Sequence, residues 1–462
     1  MKKTILLFML IANSVFAQNA VPIIRAKSAY ASVRIGNDFY KDAWNMKPNT
    51  PQTADDIPSE VAENGTLFAV ITDLDSVGYV IKRGQKQLFC VVLNEKDSVW
   101  GILKGSLPKG SFSEAYKKKY NGKTIIEVPE PYELINVIMA ITPTGIRDSD
   151  LIEHTANHYG ALIQQFSPFK NHRAVVVMDS LLKADMYYDI KMDAYSLVFN
   201  GDKLDRKKEY DRISWGNDNT ILPYVTLFED FAKKSNFRSF YQKNKPYYAR
   251  MIRAYRDSLG VPQMQEWLNL NFPATRKNCT KIIFSPLVNA NQSATGFEND
   301  SFAEAQAHVD FPNFWYNPKT SKLSEKGFNI RRGNIVFTEL NHGFENPEFE
   351  TEKNLAELRA MNINLDFFRD NIKMKAYNNP LSCIEEYMNW ALVSLRFMDI
   401  GPKEDWENFF TDVENNQQNR RGFIQFKAFN RFLIKAYQER TKGQTVADLY
   451  PQILGWFREH NK

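Results

Sequence analysis

The residues best suited to chemistry lie between positions 334 and 347, in the string N-I-V-F-T-E-L-N-H-G-F-E-N-P. Ile335, Val336, Phe337, Leu340 and Phe344 recur at mostly helical spacing and Asn334 can cap the start, so the spacing predicts a helix. Asn346-Pro347 is expected to end it, because proline disfavours helical geometry in the residue before it. On such a helix Thr338 and His342 are four apart and share a face, with Glu339 beside them. This is the frame of H-E-x-x-H, in which two histidines one turn apart bind zinc and the glutamate acts as general base. Zinc with three protein ligands holds a water in the fourth position and lowers its pKa toward neutrality. A glutamate beside that water can take its proton and pass it to a leaving amine. Here Thr338 stands at the first histidine. The frame is present and one metal ligand is missing.

A second helical run, S-C-I-E-E-Y-M-N-W-A-L at 382–392, is apolar enough to be buried yet carries Glu385 and Glu386 in succession. Buried carboxylates need partners or a metal. Gluzincins, zinc peptidases with a glutamate as third ligand, draw it from a helix that follows the motif helix. Glu386 lies 44 positions beyond His342 and is placed to serve. The other histidines offer less. His154 and His158, four apart in H-T-A-N-H, are expected on a polar helix surface, and His172 as a buried, hydrogen-bonded structural residue. His308, in A-Q-A-H-V-D, falls in a segment expected to be irregular and is a candidate replacement ligand. No G-x-S-x-G, glycine-rich phosphate loop or C-x-x-C occurs. Cys90, Cys279 and Cys383 allow one disulfide in an oxidising compartment, with the pair left open.

The elements that must position these residues fall in two regions. Residues 1–17 read as a secretory signal peptide: Lys2 and Lys3, an apolar run over 4–12, and Val15-Phe16-Ala17 before cleavage ahead of Gln18. That leaves 445 of the 462 residues and points to a soluble protein of the periplasm or the cell exterior. The apolar run is too short to span a bilayer, and no later stretch is long enough. The charge of +5 falls to +3 without Lys2 and Lys3, and both signs are interspersed, which argues against a nucleic-acid partner. Residues 18–105 carry short β-rich runs at 30–35, 66–71, 78–81 and 88–93, separated by turn formers, and read as a β-sandwich. Strings within it, I-T-D-L-D-S at 71–76 and L-N-E-K-D-S at 93–98, resemble a recurring N-terminal module of secreted bacterial proteins, which implies placement or docking. Residues 106–130 read as a linker, being rich in Lys, Gly and Ser.

From 131 to 462 the pattern is mainly helical, with helices expected near 132–141, 152–166, 174–183, 222–241, 247–259, 352–375, 381–398, 420–439 and 446–459. One strand is expected at 280–288, and Pro286 suggests an edge position for it. The fold class is therefore α+β: an N-terminal β-sandwich followed by a mainly helical domain with a small sheet.

The second region resembles the bacterial family known as domain of unknown function 4932, gluzincin-like metallopeptidases of secreted proteins. The family's H-E-F-S-H-S-F-x-N-P is matched by T-E-L-N-H-G-F-E-N-P at 338–347, and its N-E-(H/Y)-x-x-R-A by E-E-Y-M-N-W-A at 385–391. F-S-P-F-K-N-H-R-A-V at 166–175 and the strand with its Asn-rich turn at 282–291 also match, so the likeness covers most of 131–462. The resemblance implies a zincin-like domain with Glu339 as general base and His342 and Glu386 as zinc ligands. Thr338 and Trp390 depart from it, the latter standing where the family has arginine. Two ligands hold zinc far more weakly than three. The expectation is a degenerate peptidase centre, with little or no activity, that binds a peptide or protein partner. An active zinc peptidase is the alternative if another residue such as His308 completes the site.

Overall fold

The computed structural model describes residues 112–462 apart from 157, 211, 215–218, 290–291, 300–301, 312–321, 362, 371–376, 378–379 and 462. It also describes the backbone of six strands between residues 23 and 103. The chain divides into two compact units at about residue 109, and the protein is of mixed α+β class.

In the N-terminal unit the six strands are β1 (Ile23–Arg25), β2 (Tyr30–Ile35), β3 (Gly65–Ile71), β4 (Ser76–Lys82), β5 (Leu88–Leu93) and β6 (Ser98–Leu103). They form two three-stranded sheets in the orders β1-β3-β4 and β2-β5-β6. All pairs are antiparallel except β1 with β3. Four strands coincide with the β-rich runs of the sequence, while β1 and β6 have no counterpart there. Whether the sheets pack as a sandwich, the signal peptide and the side chain of Cys90 lie outside the described residues.

The C-terminal unit is built on a four-stranded sheet. Its strands are β7 (Lys123–Glu127), then, after a small hairpin of β8 (Leu197–Asn200) and β9 (Lys203–Arg206), β10 (Cys279–Phe284), β11 (Ser293–Asn299) and β12 (Phe302–Val309). The order is β11-β12-β10-β7, with β7, β10 and β12 parallel and β11 antiparallel on the edge. Two expectations change here. β10 is central and every residue in it is buried. Pro286 lies past the strand's end, where no ladder N–H is needed. Residues 114–127, expected within the linker, supply the helix α1 (Glu114–Tyr120) and the strand β7.

Alternation along β12 gives the sheet two unlike faces. Glu304, Gln306 and His308 face one way. There the buried Lys281 ammonium lies 3.2 Å from Glu304 and donates to the hydroxyls of Tyr116 and Tyr210, at 2.5 and 2.8 Å. Both tyrosines donate in turn to Glu304. Tyr116 comes from α1, so the stretch expected as a linker closes a buried ion pair. Ala303, Ala305 and Ala307 face the other way. Their small side chains form a shallow bed for a helix.

Among the described residues, fourteen α-helices of eight or more residues follow α1. The first group is α2 (Glu130–Ala140), α3 (Tyr159–Phe166), α4 (Arg173–Lys183), α5 (Tyr187–Ala194), α6 (Val225–Lys234), α7 (Phe237–Arg253) and α8 (Val261–Asn271). The second is α9 (Glu325–Arg332), α10 (Asn334–Phe349), α11 (Glu352–Met361), α12 (Pro380–Ile400), α13 (Trp406–Glu414), α14 (Phe426–Glu439) and α15 (Tyr450–His460). The helix expected over 222–241 is broken between α6 and α7, where Asn236 takes a left-handed conformation with φ 54°, which asparagine tolerates. α10 does not stop at Asn346. It runs through Pro347 to Phe349, and the helix resumes bonding with Glu350 N–H donating to Asn346 C=O at 3.0 Å. Proline costs one internal bond here without breaking the helix.

α10 lies across β12 and β11 and packs on α12 from its other side. α12 is buried almost all round, through Leu381, Ile384, Tyr387, Met388, Leu392 and Leu395 among others. Its Tyr387 hydroxyl donates to Phe368 C=O at 2.7 Å and accepts from Gln425 N–H at 2.9 Å. Gly343 faces the alanine bed, and a Cβ built on it would sit 3.7 Å from Ala305 Cβ and 3.7 Å from Lys277 Cε, ordinary contact distances. Gly343→Ala should therefore raise stability by about 0.5–1 kcal/mol through helix propensity, whereas Ala305→Leu should lower it by about 1–3 kcal/mol by lifting α10 off the sheet. Denaturant melts of the two variants check both signs.

Candidate functional site

α10 and α12 bring the motif residues together. Thr338, Glu339, His342 and Glu345 lie along α10 at three- and four-residue steps, and Glu385, Glu386, Asn389 and Trp390 lie on α12. A π-helical turn, Asn415–Arg421, supplies Arg421. Thr338 is buried, and its hydroxyl donates to the Ile335 carbonyl one turn back at 2.7 Å. It is turned to its own helix.

His342 sits between the two helices with a quarter of its side chain exposed. Nδ1 is 3.1 Å from Asn346 Oδ1 and 3.4 Å from Glu345 Oε1, and Nε2 is 2.7 Å from the Asn389 amide and 3.9 Å from Glu386 Oε2. Burial works to lower its pKa. The bond to Glu345 and the charges of Glu386 and Glu339 overcome that and push it up to about 10. His342 is then an imidazolium at neutral pH and donates from Nδ1 to Asn346 Oδ1. The Asn389 amide faces Nε2 through Nδ2; an imidazolium needs an acceptor there, which the same amide would supply with its oxygen, otherwise buried without a partner, turned to that side.

Glu386 is buried and ionised. Its Oε1 accepts from Arg421 Nη1 at 2.5 Å and from Trp390 Nε1 at 3.0 Å. Burial alone would raise its pKa, but the charges of Arg421 and His342 and these bonds hold it below the ordinary glutamate value. The remaining acids behave differently. Burial pushes Glu345 up to about 8, and burial with the neighbouring charges of Glu350 and Glu345 pushes Glu385 well up. Neither finds a positive partner that outweighs its desolvation. Glu339, partly accessible, is also raised, by burial first and then by Glu386, against the pull of His342, Lys191 and Arg421. Lys191, on α5 and fully buried, is lowered to about 7 by burial, opposed by Glu339 and Asp310.

A catalytic zinc needs three protein ligands at about 2 Å with a fourth position open. This donor set does not fit that pattern. The Thr338 hydroxyl is committed to Ile335, His342 Nε2 to Asn389, and the Glu386 carboxylate to Arg421 and Trp390. Among the described residues no three His, Cys, Asp or Glu side chains are grouped to hold a metal ion.

The expected site residues therefore separate. Thr338, Glu339, His342 and Glu386 lie together, and His308 does not join them. It is fully buried on the sheet face away from the alanine bed, 5.7 and 6.1 Å from the Tyr132 and Tyr195 rings and 3.2 Å from Gln306 Oε1. His158 is buried against Glu133 at 3.4 Å rather than exposed on a helix, and His154, which precedes α3, bonds Gly145 C=O at 2.9 Å. His172 is structural: it caps α4 through Nδ1 and pairs with Asp230 at 2.9 Å. Cys279 and Cys383 are free and buried. Glu345, Asn389, Arg421 and Lys191 escaped the sequence reading. Glu345 alone had a signal, its three-residue step from His342.

Both raised groups hold their protons more tightly in the folded chain. His342, at about 10 against about 6.5 unfolded, contributes stability that is complete below pH 6.5 and lost as pH rises through 10. Glu345, at about 8, opposes folding increasingly from its ordinary carboxylate range up to pH 8. Thermal melts should thus show stability falling from pH 6.5 to 9.5, and His342→Gln should flatten the curve over that window. Comparison with protein-family models, with curated proteins and with solved structures returned no match, so the chemistry of this site rests on its own residues.

Proposed function

We propose that this chain is a secreted or periplasmic zincin-like protein whose peptidase centre is degenerate, and that it binds a peptide or protein segment without cutting it. The N-terminal β-sandwich would place or dock the protein, and the C-terminal domain would hold the partner. The observation that carries this reading is the state of position 338. Where a first zinc-binding imidazole belongs, a hydroxyl is satisfied by its own helix. Without a third ligand, bound zinc would be weak or absent, and no water is activated for Glu339 to deprotonate.

One further feature supports binding. β11 has β12 as its one strand partner among the described residues and ends the sheet above α10. A sheet edge of this kind can pair with an extended peptide through main-chain hydrogen bonds.

The test is to incubate the purified mature chain with a peptide library made from envelope proteins, analysing retained peptides and new termini by mass spectrometry. Retention of a defined set of intact peptides is expected, and Glu339→Gln should leave their integrity unchanged. New termini produced by the parent, abolished by a chelator and by Glu339→Gln, would show an active metallopeptidase. Neither retention nor cleavage would leave a purely structural protein.

A further inference from the structure

We propose that Arg421 is the resident cation of this site: it occupies Glu386 electrically and sterically, and it would keep metal out even if the missing histidine were restored. This goes beyond the loss at Thr338, which by itself predicts that Thr338→His should be enough.

The geometry is that of a built-in clamp. Arg421 Nη1 donates to Glu386 Oε1 at 2.5 Å and to Gln417 Oε1 at 2.8 Å, while Nη2 donates to the Tyr377 hydroxyl at 2.9 Å. The guanidinium lies 5.1, 5.6 and 5.7 Å from the rings of Phe423, Tyr377 and Trp390. A planar cation fixed by three acceptors and three aromatic faces loses little further freedom in pairing with a carboxylate. Its backbone is set as firmly. The π-helical turn ends at Arg421, Gly422 takes φ 98°, and the N–H groups of Gly422 and Phe423 both donate to Gln417 C=O at 3.0 Å. A widened turn of this kind redirects the side chain at its end.

Electrostatics gives the clamp its consequence. Glu386 is buried, and one positive charge already neutralises it. Its free oxygen, Oε2, faces His342 Nε2 at 3.9 Å. A divalent ion placed there would bring two further positive charges beside the Arg421–Glu386 pair. In a site largely shielded from water that repulsion is not screened away. Trp390 adds a second donor to Oε1 and helps fix the carboxylate toward Arg421.

The experiment measures cobalt(II) binding by titration and by the visible absorption of tetrahedral cobalt. It uses the full mature chain and the variants Thr338→His, Arg421→Met, and the two combined. The parent and each single variant should bind no stoichiometric cobalt. The double variant should bind one equivalent at least 10-fold more tightly than Thr338→His, and adding Glu386→Gln should abolish it. Stoichiometric binding by the parent or by Thr338→His alone overturns the proposal, and so does failure of the folded double variant to bind. Should Arg421→Met not fold, Arg421→Gln serves in its place. Thr338→His with Arg421→Lys, which keeps the charge, should still exclude the metal. Binding by that variant would equally overturn the assignment.

Discussion

A carboxylate taken out of water must be neutralised, and that requirement at Glu386 organises the site. The glutamate is buried on α12, a helix most of whose residues are buried and many of them apolar. An ionised group there without a partner would cost several kcal/mol. Arg421 supplies the opposite charge, and to reach it the chain adopts a π-helical turn closed by a left-handed glycine. Tyr377, Gln417 and Trp390 are then arranged around the pair. The charge of Glu386 also helps raise His342 far enough to make it an imidazolium. The Arg421 pair, the groups around it and part of the charge on His342 thus follow from one buried carboxylate.

The sheet beneath makes that arrangement possible by keeping its two faces chemically apart. The alanines of β12 let α10 lie close, with Gly343 against Ala305, while Glu304, Gln306 and His308 join a polar network on the reverse side. That network is satisfied by Lys281 and by Tyr116 and Tyr210. Alternation of period two thus separates a helix-packing surface from a buried ion pair one strand's thickness away. It also places His308 beyond use at the candidate site.

What the sequence disclosed follows from what periodicity and spacing can carry. The pairing of α10 with α12 was readable because E-L-N-H and the consecutive glutamates stand out within apolar helices. The strand at 280–288 was visible for the same reason, as a β-rich run among helical patterns. Its central place was not visible, because Pro286 suggested an edge and sheet order depends on long-range pairing with β7 and β12. β7 itself hid inside a Lys- and Gly-rich stretch in which a five-residue strand leaves little composition signal. Arg421 was beyond reach for a different reason. Its meaning lies in a contact 35 positions from Glu386 across a non-standard turn, and no local pattern announces such a contact.

The contrast between Thr338 and Glu339 shows which parts of the motif the folded chain needs without a metal. A threonine inside a helix can satisfy its own hydroxyl on the preceding turn, so Thr338 places no demand on its surroundings. Glu339 is bound into the local charge balance. It and Asp310 offset the burial of Lys191, whose ammonium lies 5.0 and 5.5 Å from the rings of Tyr187 and Tyr188. Removing the Glu339 carboxylate would leave that lysine with one fewer compensating charge and drive its pKa further down. The histidine position can therefore change without disturbing its neighbours, whereas the glutamate remains tied to α5 whether or not any metal is ever bound.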